Sequence, residues 1–361
     1  MLRPRSISTG CGLVGVVAAC ALAFPVASQA PAGSPAKPPT AVTPERWLSY
    51  EGRADRSAVG DGAHIVLVAA EQEYRAEQAL PMLARLLSTR HGFRCTVLFS
   101  QKDGLVDPTQ ETRSKENPEM FHDIPGMELL ASADLLVLFT RFMALPDEQL
   151  AHLNTYLDSG KPLIGIRTAN HGFQGNWTYR LNGKKVRFGD DVLGGAFRGH
   201  HGGWHREATR GVVVDENKEH PILRGVDDVF GPSDVYRTYP GDRGLPAGCT
   251  SLLLGQPLQS LAKDAAPNTN KEPLPIAWTK TWTGNQGKTA RVFHVTMGSA
   301  RDFQSAGLRR LLLNASLWCL EREEQIQPTL SVELVGPYAP KKAGFQHAKL
   351  GVAPQPVSHY R

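Results

Sequence analysis

The chain has 361 residues, of which 41% are hydrophobic and 21% are charged, so it can bury a sizeable core. Its formal net charge is +5 and the charges are dispersed, which argues against binding to nucleic acid or to an anionic membrane. The five cysteines show no CxxC spacing and two of them fall in the first twenty residues, which excludes a disulfide scaffold.

The first thirty residues (1–30) have the pattern of a signal peptide. Arg3 and Arg5 precede a short apolar run, Gly12–Phe24, and Ser28-Gln29-Ala30 forms a small-x-small cleavage site. The run is too short to favour a transmembrane anchor. We therefore expect export to the periplasm or the medium, with a lipoprotein anchored at Cys20 as the alternative.

The rest of the sequence divides by composition into three parts. Residues 31–60 are rich in Pro and Ala and predict a linker. Residues 61–325 hold the alternating apolar segments of one α/β domain. Residues 326–361 contain several prolines and predict a tail that runs over the surface.

Strands and helices alternate along the predicted domain. Continuous apolar runs predict strands that are covered on both faces, and leucines at helical spacing predict helices between them. Pro81 fits the first helix only in its first turn, and Gly92 should end that helix. The predicted strands are His64–Ala70, Arg94–Phe99, Asp134–Thr140, Pro162–Arg167 and Arg291–Thr296.

This alternation predicts a flavodoxin-like α/β fold, with a parallel sheet and helices on both of its faces. The Gly-rich segment Gly172–Pro275 interrupts the alternation, so we interpret it as a long irregular insertion. Ligands of such sheets bind beyond the carboxyl ends of the strands. The crevice should therefore follow Ala70, Thr140 and Arg167.

Two kinds of nucleophile are missing. Class I glutamine amidotransferases carry a cysteine in a G-x-C-x-G turn, where this chain has Gly165-Ile166-Arg167-Thr168-Ala169. A guanidinium group cannot act as a nucleophile, so cysteine chemistry at that turn is excluded. The chain also lacks the G-x-S-x-G turn of α/β-hydrolases.

Histidines form the densest group of reactive side chains. His200, His201 and His205 lie in one glycine-rich segment, and His171 follows the fourth predicted strand. Imidazoles can transfer protons near neutral pH or hold a divalent metal such as zinc. We predict His171 and His201 as catalytic and His200 and His205 as substrate-binding, with His200 and His201 as the candidate metal ligands.

Charged residues also follow the predicted strands. Glu73 is the candidate acid or base, although both Glu71 and Glu73 fit equally well as negative charges at a helix N-terminus. Asp302 fits a structural role better than a catalytic one. Arg141 and Arg167 are candidate substrate-binding residues, and Arg167 could instead form an ion pair with Glu71 or Glu73.

Aromatic residues are frequent in the insertion. Sugar rings stack on exposed aromatic side chains, and Trp204, between His201 and His205, is the best candidate for such a contact. Core packing explains most of the others equally well, and these are Phe173, Trp177, Tyr179, Tyr236 and Tyr239.

Several motifs together resemble the ThuA-like (trehalose utilisation) family, in the exported branch common in planctomycete-like bacteria. The resemblance covers about His64 to Leu320. It rests on Glu73-Tyr74-Arg75, Gly160-Lys161-Pro162, Gly165-Ile166-Arg167-Thr168-Ala169, His200-His201-Gly202, His220-Pro221-Ile222-Leu223-Arg224-Gly225, Pro275-Ile276-Ala277-Trp278-Thr279 and Arg309-Arg310-Leu311-Leu312-Leu313-Asn314.

The resemblance implies the class I glutamine amidotransferase-like form of the flavodoxin topology. It also implies a link to trehalose-type and 3-keto-sugar catabolism. The chain departs from many members at Gly298-Ser299, where they carry Gly-His, and at Arg167, where they carry a histidine.

Two functions remain open from the sequence. The first is an enzyme, a hydrolase or isomerase, that acts on sugar derivatives such as oxidised glycosides through the histidines and Glu73. The second is a carbohydrate-binding or scaffolding protein that keeps the crevice and catalyses nothing.

Overall fold

The computed structural model describes residues 45–52, 58–238 and 245–361. The predicted signal peptide, the alternative anchor at Cys20, most of the linker and Tyr239 lie outside these residues. Within them, no helix is long and apolar enough to cross a membrane. The domain boundaries placed at residues 61 and 325 remain predictions.

A ten-stranded mixed sheet forms the centre of the fold. Its strand order is β1-β3-β2-β4-β5-β10-β9-β8-β6-β7. The strands are β1 Leu48–Tyr50, β2 His64–Ala70, β3 Arg94–Phe99, β4 Leu135–Thr140, β5 Leu163–Ile166, β6 Thr209–Val213, β7 Phe230–Gly231, β8 Thr250–Pro257, β9 Leu274–Thr283 and β10 Thr289–Val295.

The parallel half of the sheet confirms the flavodoxin-like prediction. Strands β3, β2, β4, β5 and β10 are parallel neighbours in that order. Numbered along the chain, this is the 2-1-3-4-5 order of flavodoxin-like folds, in which the direction of winding changes between β2 and β4. A ligand crevice is expected at the carboxyl ends of these two strands.

Helices cover both faces of the sheet, as predicted. They are α1 Ala76–His91, α2 Asp147–Asp158 and α3 Ala306–Cys319. Successive residues of a strand point to opposite faces. Ile65 and Leu67 therefore join the core beneath α1 and α3, whereas Val66 and Val68 join the core beneath α2.

The prediction of an irregular insertion was wrong in part. The segment from Gly172 to Pro275 supplies β6, β7 and β8 and begins β9, all hydrogen-bonded into the main sheet. These strands are antiparallel to their neighbours, so the sheet is mixed. Pairing between β8 and β9 shifts register twice, at Ser251/Leu253 and at Leu253/Leu254. Such bulges break the alternation by which strands are recognised in a sequence.

Helix α1 differs from the prediction in the position of Pro81 and agrees with it in the position of its C-terminal end. Pro81 lies in the second turn rather than the first, where it cannot donate a hydrogen bond to the carbonyl group of Glu77. Gly92 ends the helix as predicted, with φ 74° and its N–H directed at the carbonyl groups of Leu87 and Ser88.

The C-terminal residues 326–361 lie against α1 and the carboxyl end of the sheet. The Gly344 N–H donates to the Glu73 carbonyl group at 2.8 Å, and the Gly344 carbonyl group accepts from the buried Arg75. The Tyr338 hydroxyl donates to the Ala300 carbonyl group at 2.7 Å. The tail thereby becomes part of the wall around the crevice.

Candidate functional site

Four residues near the carboxyl edge of the sheet adopt the left-handed backbone conformation without being glycine. They are Arg75, Phe142, Arg167 and His205, with φ of 67°, 48°, 49° and 58°. Strained backbone of this kind collects at functional sites. The turn after β5 therefore keeps a sharp backbone conformation, and the nucleophile position in it carries Arg167.

Arg167 forms a buried ion pair, but not with the predicted partners. The Nη2 atom of Arg167 lies 2.7 Å from Oδ1 of Asp234, and its Nη1 donates to the carbonyl groups of Asp234 and Thr296 at 2.7 Å. The expected pair with Glu71 or Glu73 was wrong.

The surroundings of Arg167 also bear on its predicted role in substrate binding. Its guanidinium carbon lies 3.8 Å from the ring centre of Tyr236 and 4.5 Å from that of Tyr74. The side chain is fully buried, so a direct contact with substrate does not fit this position. Arg167 instead holds Asp234 in place.

Asp234 links this buried cation to the histidine segment. Its second oxygen, Oδ2, lies 2.7 Å from Nδ1 of His200. Burial raises the pKa of Asp234, but Arg167 and His200 outweigh burial and hold the pKa below its usual range. Asp234 is therefore ionised at neutral pH, and because it engages Nδ1 of His200, Nε2 is the ring nitrogen that a ligand could contact. The His200 side chain is partly open to solvent, with 36% exposed.

His171 contributes a second imidazole, held in its neutral form. Burial, with the nearby charges of Arg141 and Arg167, lowers its pKa well below the usual range. Its Nδ1 lies 2.8 Å from Oδ1 of Asn170, whose amide nitrogen donates to the Gly195 carbonyl group and so fixes the amide orientation. Nδ1 thus carries the hydrogen, and Nε2 keeps a lone pair.

The carboxylate of Glu73 contacts three side chains. Oε1 accepts a hydrogen bond from Nε1 of Trp204 at 2.8 Å and lies 3.3 Å from Nε2 of His205, and Oε2 lies 3.6 Å from Nε of Arg141. Burial alone would raise the pKa of Glu73. The contacts with His205 and Trp204 and the charge of Arg141 outweigh burial, so the pKa lies below its usual range. Glu73 is therefore an anion that orders its neighbours.

The other two carboxylates have structural roles, as their sequence context indicated. Glu71 accepts hydrogen bonds from the backbone N–H groups of Glu73, Tyr74 and Ala76 at the start of α1. Asp302 is fully buried and accepts from the backbone of Gly298 and from the hydroxyl of Ser233. Burial raises the pKa of Asp302.

The structure does not bring His200 and His201 together as metal ligands. His200 directs Nδ1 at Asp234, whereas Nε2 of His201 lies 2.9 Å from the carbonyl oxygen of Glu272. Across residues 45–52, 58–238 and 245–361, no three His, Cys, Asp or Glu side chains are arranged to hold a metal ion. The residues present do not fit the proposed zinc site.

Trp204 is exposed, as predicted, with 42% of its surface accessible. Its ring centre lies 5.8 Å from that of His200 and 6.5 Å from that of Phe345 in the tail. Phe345 also lies under Arg141, whose guanidinium carbon is 4.9 Å from the ring centre. Trp177, Tyr179 and Tyr236 are buried, so core packing accounts for them.

Sequence reasoning missed Asp234 and Phe345. Asp234 follows β7 and lies 34 residues from His200, with no local pattern that pairs the two. Phe345 belongs to the tail, which lacks regular structure around it. A polar cavity of about 700 Å³ lies elsewhere on the protein, and its wall includes Gln101, Asp107 and Glu111. None of the site residues described above lines it.

Comparison with known families identifies the family of this chain. The profile of the ThuA family, described as trehalose utilisation, matches residues 65–319. The chain belongs to the ThuA family. Membership indicates a sugar-related role, and the matched residues include every site residue named above except Phe345. No curated protein matches the chain.

Two solved ThuA-like structures are similar to this chain. One, from Bacteroides uniformis, is 16% identical, with a TM-score of 0.45, over 78% of this chain and 100% of its own. The other, from Parabacteroides merdae, is 14% identical, with a TM-score of 0.44, over 83% of this chain and 99% of its own.

Proposed function

We propose that this ThuA protein acts on carbohydrate at the carboxyl edge of its sheet, with His200 as the proton-transferring group. The observation that supports this most is the 2.7 Å contact between Asp234 and His200 beside the exposed ring of Trp204. A carboxylate on Nδ1 fixes the orientation of the imidazole ring and directs Nε2 away from Asp234. The Trp204 face can stack on a sugar ring.

The reaction class follows from the side chains that are present. A glycoside oxidised to a ketone at one carbon has acidic C–H bonds beside the carbonyl group, so a base can remove a proton without a covalent nucleophile. Nε2 of His200 takes that proton, and the C–H electron pair moves towards the carbonyl oxygen to give an enolate. The hydroxyl group on the same carbon passes its proton to that oxygen, and His200 returns its proton to the former carbonyl carbon. The ketone thereby moves by one position, which completes an isomerisation. Arg167 at the nucleophile position does not interfere with this chemistry.

The other side chains hold the substrate and the site. Glu73 fixes Trp204, His205 and Arg141 through its two oxygens. The neutral Nε2 of His171 can accept a hydrogen bond from a sugar hydroxyl. His201, whose Nε2 is engaged by a backbone carbonyl group, is assigned no catalytic step.

Proton exchange at the carbonyl-adjacent carbons tests this proposal. A 3-keto glycoside such as 3-keto-trehalose is incubated in D₂O with the protein, and loss of its H-2 and H-4 signals is followed by proton NMR. We expect protein-dependent exchange that falls at least 100-fold in His200→Asn and is unchanged in His359→Gln, a surface control. Exchange that survives in His200→Asn would overturn the assignment of the base.

A non-catalytic carbohydrate-binding protein is the second candidate function, and the absence of a cysteine or serine nucleophile favours it. Tight binding of the keto glycoside with the ligand recovered unchanged and no exchange would support this alternative. Elemental mass spectrometry of the wild type and of a His200→Ala/His201→Ala variant tests for a metal. We expect no stoichiometric metal in either protein.

Export and the finer family placement also belong to this proposal. The signal-peptide pattern of residues 1–30 supports delivery to the periplasm or the medium. The strand order supports placement in the class I glutamine amidotransferase-like superfamily. Cleavage after Ala30, read by N-terminal sequencing of the protein recovered from its native host, would establish export.

A further inference from the structure

A second cavity, of about 290 Å³, lies beside the Asp234–His200 pair. Asp234, His205 and Tyr74 form part of its wall, so it adjoins the residues assigned to catalysis. The loop after β10 contributes Ser299 and Arg301. The C-terminal tail contributes Lys342 and Ala343. Its volume is at the lower end of the range for small-ligand pockets.

Two cations in this wall have no counter-ion. Neither the Arg301 guanidinium nor the Lys342 ammonium group forms an ion pair or a side-chain hydrogen bond with any residue in the described part of the chain. The neighbouring Arg75 and Arg167, by contrast, are buried and bonded within the protein. Arg301 and Lys342 are therefore available to a ligand.

The carboxylate in the wall does not neutralise these charges. Asp234 already contacts Arg167 at 2.7 Å and His200 at 2.7 Å, which balances its single negative charge. Asp234 is thus engaged elsewhere, and within the described residues no carboxylate forms an ion pair with Arg301 or Lys342. Arginine and lysine together favour an anionic ligand, and the planar arginine fork suits a carboxylate or sulfate group.

The remaining wall fits a sugar ring that carries such a group. The Ser299 hydroxyl makes no hydrogen bond with the part of the chain that the structure describes, so it can bond a ligand oxygen. Pro232 and Leu261 provide apolar surface. Lys342 lies beyond the residues that match the ThuA profile, so this feature belongs to the tail of this chain.

We infer that the cavity is a subsite for the acidic group of a saccharide, a carboxylate or a sulfate ester, held by Arg301 and Lys342. The inference rests on the proposed carbohydrate function and narrows its substrate class from sugars in general to acidic sugars. Binding of the acidic group would place the sugar ring next to Asp234 and His200.

Calorimetric titration of matched probes tests this inference. Methyl β-D-glucuronide carries the carboxylate, methyl β-D-glucuronide 6-methyl ester removes its charge, and methyl β-D-glucoside 6-sulfate replaces it with a sulfate ester. We expect the two anionic probes to bind at least tenfold more tightly than the neutral ester. The preference should vanish in Arg301→Ala/Lys342→Ala and persist in Lys349→Ala, which removes an exposed lysine of the same tail.

The outcomes separate this inference from the proposed function. Equal binding of charged and neutral probes, or a preference that survives in the double variant, would overturn the acidic subsite and leave the carbohydrate function standing. If no saccharide binds, the melting temperature is measured in sodium sulfate and in sodium chloride of equal ionic strength. Sulfate stabilisation that is lost only in the double variant would uphold the anion site without a sugar. Its absence would overturn the acidic subsite, whereas the proton-exchange experiment decides the carbohydrate function separately.

Discussion

At the scale of single residues, the site depends on one buried arrangement of charge. Asp234 lies between Arg167 and His200, with a contact of 2.7 Å on each side. A buried carboxylate is stable as an anion when it is paired and hydrogen-bonded. Arg167, in the turn after β5, thus serves to keep Asp234 charged and in place beside His200.

Replacement of Arg167 should destabilise the protein, because it leaves the buried carboxylate of Asp234 without its cationic partner. In Arg167→Met, Asp234 loses its fully buried partner, and breaking a buried pair from one side costs about 3–5 kcal/mol of stability. Urea unfolding of the purified protein measures this loss. Arg187→Met is the control, because the Arg187 side chain is 68% exposed and a surface pair contributes about 1 kcal/mol or less. Equal losses in the two variants would contradict the structural role of Arg167.

The pairing of Asp234 with His200 could not be predicted from the sequence. The histidine segment stood out because three imidazoles, His200, His201 and His205, fall among glycines, and Trp204 was correctly placed as exposed. A carboxylate 34 residues further along has no periodic relation to that segment, because the strand pairing of 199–200 with 236–237 brings the two together. The predicted ion pair of Arg167 with Glu71 or Glu73 was wrong for the same reason, because its actual partner, Asp234, is distant in the sequence.

At the scale of elements, continuous apolar runs made the parallel strands predictable. Strands β2 and β3 match their predicted bounds, because strands buried on both faces show uninterrupted hydrophobic residues. Strands β6 and β8 are half-exposed or bulged, and their weak patterns were interpreted as an irregular insertion. What escaped prediction was that these segments pair into the main sheet as its antiparallel half.

Strand β5 packs closely against strand β10 because Gly165 has no side chain. A Cβ atom on Gly165 would lie 2.6 Å from Nδ1 of His294 in β10 and 2.8 Å from Cδ1 of Leu193. The same His294 nitrogen hydrogen-bonds the Gly165 carbonyl oxygen at 2.8 Å. The close approach of these two strands therefore requires glycine at this point.

Gly165→Ala should consequently destabilise the protein. Overpacking of a well-filled core costs about 1–3 kcal/mol, and the clash with His294 also displaces the turn that begins at Arg167. Gly175→Ala is the matched control, because a Cβ there meets no atom within 4 Å and its φ is not positive. Thermal unfolding of both variants should show a fall in Tm for Gly165→Ala alone. A comparable fall in Gly175→Ala would indicate a general effect of the added methyl group.

At the scale of the whole molecule, the pH dependence of stability follows from its buried histidines. Burial lowers the pKa of six of them, and lowers that of His294 to about 3. Two buried carboxyl groups act in the opposite sense, because burial raises the pKa of Asp302 and raises that of Glu77 to about 7. The histidines with a lowered pKa are more numerous than these two carboxyl groups. The six are His64, His91, His122, His171, His220 and His294.

The sign of the effect is set by which state binds more protons. A histidine with a lowered pKa is neutral in the folded protein and takes up a proton when the chain unfolds below about pH 6.5. Its contribution to stability is therefore complete above that pH and is lost as the pH falls towards the folded pKa. Glu77 does the reverse, since its contribution is complete below its unfolded pKa of 4.5 and is lost as the pH rises through about 7.

We expect the free energy of unfolding to fall as the pH is lowered from 7.5 to 5, and His294→Gln to reduce the slope. One proton fewer taken up on unfolding lowers the slope by about 1.4 kcal/mol per pH unit, most clearly between about pH 4 and 6, where the unfolded histidine is charged and the folded one is not. Urea unfolding at several pH values gives the slope directly. It remains interpretable if the variant is less stable overall, because only the change with pH is compared. His359→Gln, at the surface, should keep the wild-type slope. An unchanged slope in His294→Gln would show that His294 is protonated in the folded protein, and the buried contact of its ring with Gly165 would then have to open as the pH falls.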